Sequence, residues 1–321
     1  MPPLFRWMMA VTQTGDTTRV KFSSSERRGI VFGLLAYTIW GLSFAFYRLM
    51  PHIPPLEVVA HRAAWSVPFG IIVLGAMGGL NTIWPILGRW KVLRILMCSA
   101  TIIAINWSLF VWAVAQGMFL QTSLAYYINP LVSVLLGFVL LGERLGRAQT
   151  VAVAIAAVAV LFEAIAEGVF PWLSLLLAVT FAVYGYLRKI VPVEAVPGFV
   201  VETLLIAPFA FGAMIWLEME GSGHLFASAA DAAFLLSCTV VTGVPLMLFA
   251  AAARLLPLSM IGLMQYIAPT LGFIIGVWGF NQPLTLTRLI TFILIWIALV
   301  IFSWSTFLKG SAVRANKKSS S

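Results

Sequence analysis

The ionisable residues inside apolar stretches are the first candidates for chemistry in this chain. Arg62 directly follows His61 about one turn into an apolar segment, and Glu57 lies four residues before His61, so Glu57 and His61 share a helical face. A charge inside a membrane helix is costly and by default indicates a functional site. The alternative for Arg62 is that its long side chain extends to the outer lipid headgroups.

Glu202 is the acidic residue that we single out just inside a predicted membrane segment, near its cytoplasmic end. A carboxylate removed from water favours its neutral form, so Glu202 could carry a coupling proton. The alternative is an ion pair with Arg188 or Lys189 at the inner boundary of the membrane. Both interpretations of Glu202 stay open at this point.

A tyrosine–proline motif occurs twice, as Tyr127-Ile128-Asn129-Pro130 and, 139 residues later, as Tyr266-Ile267-Ala268-Pro269. Each proline lacks an amide proton and pushes away the carbonyl four residues back, which then needs a polar partner or a water-lined cavity. Polar side chains stand beside both prolines: Tyr126, Tyr127, Asn129, Gln265 and Tyr266. We expect Pro130 and Pro269 to act as hinges. Static kinks packed within the protein are the alternative.

Four further side chains fall in the middle of apolar segments: Trp40, Asn106, Trp107 and Tyr184. Both tryptophans are too central for an interfacial belt, and we expect them to line a cavity for aromatic or amphiphilic solutes. An asparagine at such a depth more often joins helices. No nucleophile–base pair, phosphate loop or Cys/His cluster is recognisable, so we assign no catalytic residue, metal or cofactor.

The composition requires a membrane to hold these residues. Of the 321 residues, 61% are hydrophobic and 10% are charged, whereas about a quarter of an average soluble domain is charged. Ten apolar runs of about 20 residues could each cross a bilayer as a helix. They fall near residues 29–49, 57–77, 93–115, 122–141, 148–166, 170–188, 198–217, 232–253, 258–279 and 285–308. The sequence therefore predicts an all-α polytopic membrane protein.

The distribution of basic residues predicts the orientation of these helices. With the N-terminus in the cytoplasm, only Arg48, Arg62 and Arg288 of the 20 lysines and arginines fall on the outer side, as the positive-inside rule demands. Both termini are then expected to be cytoplasmic. Residues 1–28 and 309–321 are expected to be disordered basic tails. The net charge of +9 is a topology signal, and we expect no nucleic-acid partner.

The repeated motif suggests that residues 29–166 and 167–308 are two copies of one five-helix unit. Because five is odd, two such units must lie in the bilayer with opposite orientations. Inverted repeats around a central cavity are typical of secondary transporters, which bind substrate near the midplane. Channels and membrane enzymes can also contain repeats.

Small residues predict how the two halves meet. Helix 4 carries Ser133 and Gly137, and helix 9 carries Gly272 and Gly276 at the equivalent positions. Residues four apart share a face, and small residues let membrane helices approach closely. We therefore expect helices 4 and 9 to pack together through these four residues.

The sequence resembles the EamA-type drug/metabolite transporter superfamily, and within it the RarD subgroup. The resemblance is carried by segments that cover most of the membrane region, namely GLLAYTIWG (33–41), EVVAHRAAWS (57–66), NWSLFVWAV (106–114), TSLAYYINPLVSVLLGFVLLGERL (122–145), FAVYGYLRK (181–189), ETLLIAPFA (202–210) and LSMIGLMQYIAPTLGFIIG (258–276). It implies ten helices in two inverted EamA repeats, an inner-membrane location and solute transport. One departure is Asn281-Gln282, where the family usually repeats the pair Gly142-Glu143. Glu143 is most simply a capping or pairing residue at the interface.

Together these observations favour a secondary transporter that works by alternating access and exports small organic metabolites or amphiphilic, drug-like solutes. Its expected partners are a small-molecule solute, membrane lipid and a proton as coupling ion. An intramembrane enzyme and a channel-like sensor are the alternatives.

Overall fold

The computed structural model describes residues 23–116, 118–168, 170–279 and 285–318. Those residues form helices joined by short connections, and no strand occurs among them. In this described part, ten helices are long and apolar enough to cross a membrane, which confirms the predicted all-α polytopic architecture. The pair Asn281-Gln282 and tail residues 1–22 and 319–321 lie outside the described residues.

We number the spanning helices α1 to α10, in the order of the ten predicted segments. They are α1 (Ser24–Tyr47), α2 (Pro55–Ala76), α3 (Trp90–Ala115), α4 (Phe119–Leu141), α5 (Arg147–Glu167), α6 (Trp172–Ile190), α7 (Ala195–Met219), α8 (Ala229–Leu255), α9 (Leu258–Gly279) and α10 (Leu286–Lys318). A short helix, Ile83–Leu87, lies between α2 and α3.

The outermost helices extend beyond the predicted spans. Ser23 caps α1: its side chain accepts the amide N–H of Glu26, and the Glu26 carboxylate accepts the amide N–H of Ser23. This capping box satisfies two of the free N–H groups at a helix start, so α1 already includes residues 24–28, which the sequence analysis assigned to the tail. At the other end, α10 continues to Lys318, beyond the predicted boundary at residue 308.

The principal helix contacts are symmetric between the two halves of the chain. Replacing both helices of a contact by the helices five places away in the chain gives another observed contact or the same one. α1 packs on α8 as α6 packs on α3, and α4 packs on α6 as α9 packs on α1. The pairs α2–α7, α4–α9 and α5–α10 map onto themselves. Two five-helix units related by a two-fold axis would give this pattern, and the inverted repeat stays a prediction.

The helix ends lie on two sides of the bundle. We call the side that holds the start of α1 the terminal side, where Gly29 packs on Leu256 at the end of α8. The opposite, distal side holds the α1–α2 and α7–α8 connections. There His52 and Asp231 are joined by a contact of 2.8 Å between Nε2 and Oδ1.

α9 is divided at the second proline motif. A turn at Gln265 and Tyr266 separates the segment Leu258–Met264 from the segment Ile267–Ile274, which runs into a π-helical turn. Pro269 gives no amide proton to the Gln265 carbonyl, so the break falls where the sequence predicts it. α4, in contrast, continues as a helix through Pro130.

The predicted contact between α4 and α9 is confirmed on the α4 side. A Cβ built on Gly262 would lie 2.8 Å from the Cβ of Ser133, and one built on Gly137 would lie 3.3 Å from the backbone nitrogen of Ser259. Ser133 and Gly137 therefore lie at the contact, and the first segment of α9 approaches them closely through Ser259 and Gly262.

Of the two residues predicted on the α9 side, Gly272 is wrong. A Cβ built on Gly272 would meet the ring of Phe44 of α1 at 3.0 Å. The physical reason is the break in α9, because the segment before it packs on α4 and the segment after it packs on α1. Gly276, at the end of that second segment, belongs to the π-helical turn.

Candidate functional site

A cavity of about 570 Å³ lies between seven of the ten helices and reaches the distal side. Its walls come from α1, α2, α3, α4, α6, α8 and α9, and the α1–α2 connection lines its mouth. Four of these helices belong to residues 29–166 and three to residues 167–308, the two predicted copies of the repeat.

Seven of the residues singled out from the sequence line the cavity. They are Trp40, Arg62, Asn106, Trp107, Tyr126, Asn129 and Gln265. The structure thus brings together polar and aromatic side chains from five helices that are distant in the sequence. We propose each of these seven side chains as a contact for a bound solute.

Aromatic rings form two walls of the cavity. The Trp40 ring lies 5.8 Å from Phe181 and 5.6 Å from Tyr37, measured between ring centroids. On the other wall, the ring of Tyr126 lies 6.0 Å from Phe44 and packs edge-on. Such surfaces favour apolar or aromatic solutes.

Arg62 brings a positive charge into this apolar site. Its guanidinium carbon lies 4.6 Å from the centroid of the Trp107 ring, a cation–π contact. Its Nε atom is buried without a hydrogen-bond partner. In the described part of the chain, no carboxylate lies within ion-pair distance of Arg62.

Asn106 faces the cavity and also joins two helices. Its Nδ2 atom donates to the Leu177 carbonyl at 2.9 Å and to the Thr180 hydroxyl oxygen at 2.8 Å. These bonds tie α3 to α6, as expected for a polar side chain in mid-membrane. Asn129 is less engaged, because its Oδ1 accepts only a long bond of 3.4 Å from Ser133.

Tyr184 lies below the cavity on the terminal side and does not line it. Its ring stacks on Phe249 with an interplanar angle of 14°. Phe249 also contacts Trp40 and Phe181, with centroids 5.9 and 5.4 Å away. These rings form an aromatic layer that closes the cavity toward the terminal side.

Glu202 lies beneath this layer, away from the cavity. Its carboxylate accepts a hydrogen bond from Ser99, lies 3.5 Å from the Tyr184 hydroxyl and 3.5 Å from Nη1 of Arg188. Arg188 is fully buried. The geometry favours the ion-pair interpretation of Glu202, with Arg188 as the partner. Lys189 donates instead to backbone carbonyls.

Tyr127 and Tyr266 also lie outside the cavity, in a buried cluster between α4, α5, α9 and α10. The Tyr266 hydroxyl donates to the backbone carbonyl of Tyr127 at 3.0 Å. Pro130 is expected to free the carbonyl of Tyr126, four residues back, so the accepting carbonyl lies one residue further along the chain. Pro130 and Pro269 are buried and do not line the cavity either.

His61 belongs to a polar cluster on the distal side. His224 donates its backbone N–H to Glu57, and its Nδ1 atom lies 2.7 Å from a Glu57 oxygen. Nε2 of His61 lies 3.8 Å from Glu57 and has no hydrogen-bond partner. Glu218 completes the cluster, since one ligand atom each from Glu57, His61 and Glu218 lie within 4.8 Å of one another.

The tautomer of His61 argues against a metal at this cluster. The indole N–H of Trp65 donates to Nδ1 of His61 at 3.1 Å, and an indole nitrogen can only donate. Nδ1 therefore carries a lone pair, and neutral His61 holds its proton on Nε2, which faces the two carboxylates. Nε2 is then an N–H group that faces Glu57 and Glu218 without a hydrogen bond to either, and a metal ligand would need a lone pair there.

Several cavity residues were not found from the sequence. Tyr37 lies three residues before Trp40, so helical spacing could have found it. Thr242 is a polar residue in the middle of α8 and lies 3.5 Å from the hydroxyl of Tyr47, which is a weaker signal. Phe181 is one of 23 phenylalanines in an apolar chain, and nothing in its local sequence distinguishes it.

Comparison with known proteins adds independent findings. The profile of the EamA-like transporter family matches residues 27–164. An uncharacterized transporter of Pseudomonas aeruginosa is 42% identical over 296 residues, covering 89% of this chain and 96% of that protein. The transporter YojE of Bacillus subtilis, also uncharacterized, is 38% identical, covering 88% of this chain and 95% of YojE.

Two further similarities extend along the chain. The protein RarD of Escherichia coli is 36% identical, covering 87% of this chain and 95% of RarD. One crystal structure of a protein 18% identical matches with a TM-score of 0.65, over 86% of this chain and 97% of that one. At this identity the structural match supports the fold alone.

Proposed function

Because the chain belongs to the EamA-like transporter family, in its RarD subgroup, we propose that it is a secondary transporter of small organic solutes. The observation that carries this proposal is the cavity of about 570 Å³ that reaches only one side of the described helix bundle. A binding cavity reached from one side and closed toward the other is what one state of an alternating-access cycle requires.

The terminal side of the bundle supports the idea of a closed gate. Gly29 packs on Leu256, and a Cβ on Gly33 would lie 2.7 Å from the end of the Met264 side chain. Below the aromatic layer, the Arg188–Glu202 pair fills the interior. Small residues let the helices meet here, and opening this side requires the contacts to separate.

The distal side would close in the opposite state. The α1–α2 connection lines the cavity mouth and is held to α8 by the contact between His52 and Asp231. We propose that the two five-helix units exchange roles in this step, as inverted repeats do in other transporters. The turn at Gln265 before Pro269, and Pro130 in α4, are the proposed hinges.

The direction of transport is also a proposal. The positive-inside rule favours a cytoplasmic terminal side, and the described state would then open outward. We propose export across the bacterial inner membrane, in which this state releases the solute; in uptake the same state would bind it. Proton coupling is a further proposal, for which Glu202 is the candidate residue.

An intramembrane enzyme is the strongest rival. Hydrolysis needs a nucleophile with a general base within hydrogen-bond reach. Among the described lining residues there is no His, Cys, Asp or Glu, so the hydroxyls of Ser43 and Thr242 lack a base. A channel-like sensor is the other rival. It would have either a continuous pore through the membrane or no route for solutes, and the counterflow experiment below distinguishes it from a transporter.

Solute counterflow tests the proposal. Comparison of metabolites in media from deletion and overexpression strains selects candidate solutes, and each is then labelled and measured in proteoliposomes. We expect counterflow that saturates with increasing solute concentration. The Trp40→Ala variant should abolish it. Trp304→Ala is the matched control, because Trp304 is 68% exposed on the outside of the bundle. Turnover of a lipid or peptide without solute movement would reject the transport proposal.

A further inference from the structure

We propose that the cavity binds organic carboxylates, with Arg62 as the anchor for the anionic group and the aromatic walls as the site for the apolar body. This proposal rests on the proposed function, because it takes the cavity as the solute site. It names a class of solute that neither the family nor the relatives' names specify.

The first argument is the uncompensated charge of Arg62. Within the described residues it forms no ion pair, and its Nε atom is buried without a partner. The Trp107 ring attracts the cation through its quadrupole but does not neutralise it. A cation inside a membrane protein faces a partner or a water-filled cavity, and an anionic solute supplies the missing partner.

The position of the side chain excludes the lipid-directed alternative. Arg62 lies two turns into α2, whose first residue is Pro55, and its guanidinium is held at Trp107 of α3 instead of reaching headgroups. Trp107 covers one face of the planar group. The edges of a guanidinium carry its N–H donors in a fork that matches a carboxylate.

The second argument is the charge of the cavity as a whole. The described lining residues include Arg62 and no aspartate or glutamate. Glu57, the acidic residue nearest to Arg62 in α2, is buried and engaged by His224. A cationic or zwitterionic solute would place its ammonium group in a site without a counter-charge.

The third argument is the division of the site into a polar and an apolar part. Arg62, Trp107 and the amide of Asn129 lie in the same cavity as the rings of Trp40 and Phe181. A solute with a carboxylate at one end and a ring or short alkyl chain at the other satisfies both parts. A fully polar anion would leave the aromatic walls without contacts.

Equilibrium binding to the full chain in lipid nanodiscs tests this proposal without any transport step. The probes are radiolabelled phenylbutyrate and its neutral and cationic analogues of similar size, phenylbutyramide and phenylbutylamine. We expect phenylbutyrate to bind most tightly. Arg62→Gln should weaken phenylbutyrate binding about 10- to 100-fold, the range for a hydrogen-bonded charged partner, and should leave phenylbutyramide binding unchanged.

Two further variants keep the test independent of folding. Arg62→Lys retains the positive charge and should retain the preference for the carboxylate. Arg288→Gln removes a positive charge that is not part of the cavity and should bind all three probes as the unsubstituted protein does. Equal thermal stability of Arg62→Lys and Arg288→Gln shows that the comparison is made between folded proteins.

Three results would overturn the proposal. Binding of the amide or amine as tightly as the carboxylate, binding of none of the three, or an unchanged preference in Arg62→Gln would each reject Arg62 as an anion anchor. The transport proposal would survive all three results, because counterflow of solutes selected from cell media tests it separately.

Discussion

The hydroxyl of Tyr266 donates a 3.0 Å hydrogen bond to the backbone carbonyl of Tyr127, so two tyrosines at equivalent positions of the sequence repeat meet across the α4–α9 contact. A hydroxyl in a membrane interior needs an acceptor, and a carbonyl near a helix proline can supply one. The repeated tyrosine is therefore used asymmetrically: one copy gives its side chain and the other its backbone.

This asymmetry predicts different effects of two matched substitutions. Tyr266→Phe removes the donor and should lower the stability of the purified protein by about 0.5–1.5 kcal/mol, the usual net value of one hydrogen bond. Tyr127→Phe should have a smaller effect, because the bond uses the carbonyl of residue 127 and not its hydroxyl. Thermal unfolding in detergent measures both. A larger loss in Tyr127→Phe would contradict the assigned bond.

The second prediction concerns the close approach of α4 and α9. A Cβ on Gly262 would lie 2.8 Å from the Cβ of Ser133 and 2.9 Å from the carbonyl oxygen of Pro130. Neither atom lies at the end of a flexible side chain, so the helices must separate. Gly262→Ala should therefore destabilise the protein by about 1–3 kcal/mol, as overpacking does in other cores.

Gly212 provides the control for Gly262. It lies in α7, and a Cβ there would meet nothing within 4 Å. Gly212→Ala should leave stability unchanged or raise it by up to about 1 kcal/mol, because alanine is the better helix former. When unfolding is measured, Gly262→Ala should thus lower stability and Gly212→Ala should not. Equal effects would show that α4 and α9 do not touch at Gly262.

The spans and the α4–α9 contact were predictable because they depend on properties that a sequence displays directly. Runs of about 20 apolar residues fix a membrane helix, and Ser133 and Gly137 mark a face where helices approach. The partner residues on α9 were not predictable. They depend on the direction that the chain takes after the turn at Gln265, and this direction is set by packing against both α4 and α1.

The same distinction holds for the candidate site. Trp40 and Arg62 could be found from the sequence, because an indole at mid-span or a charge inside an apolar segment is conspicuous. Tyr184 has the same signal and yet lies below the cavity, stacked on Phe249. Whether a mid-span aromatic residue faces the cavity or packs under it depends on how the helix is rotated about its axis. The sequence does not reveal this rotation when the helix is apolar on several faces.

The third prediction concerns Glu143, which caps α9. Its carboxylate accepts the backbone N–H groups of Leu258 and Ser259 at the start of α9. A negative charge there satisfies free donors and complements the helix dipole. Glu143→Ala should lower stability by about 1–2 kcal/mol in thermal unfolding. Arg144→Ala is the control, because this neighbouring residue is exposed. Similar losses for both variants would contradict the capping role.

The fourth prediction tests the orientation in the membrane. Ser222 is exposed in the α7–α8 connection on the distal side, and Asn81 is exposed in the α2–α3 connection on the terminal side. In a background without Cys98 and Cys238, Ser222→Cys should react with an impermeant thiol reagent added to intact cells. Asn81→Cys should react only after permeabilisation. The reverse pattern would invert the topology and make the described state inward-open.

The last prediction separates the two roles considered for Glu202. Arg188 is fully buried, and its Nη1 atom lies 3.5 Å from the Glu202 carboxylate. Removing one partner of a buried ion pair leaves the other charge uncompensated, at a cost of about 3–5 kcal/mol. Glu202→Gln and Arg188→Gln should each cause a loss of this size in thermal unfolding. The double variant should be more stable than the sum of the two losses predicts, because no unpaired charge remains.

Transport measurements on the same variants decide whether the pair has a second role. If the pair is structural, any transport that survives in the double variant should keep its dependence on an imposed pH gradient. If Glu202 carries a coupling proton, Glu202→Gln should lose that dependence while solute exchange continues, since glutamine cannot take up and release a proton. Additive stability losses combined with a lost gradient dependence would reject the structural role. Coupled losses with an unchanged gradient dependence would reject proton coupling through Glu202.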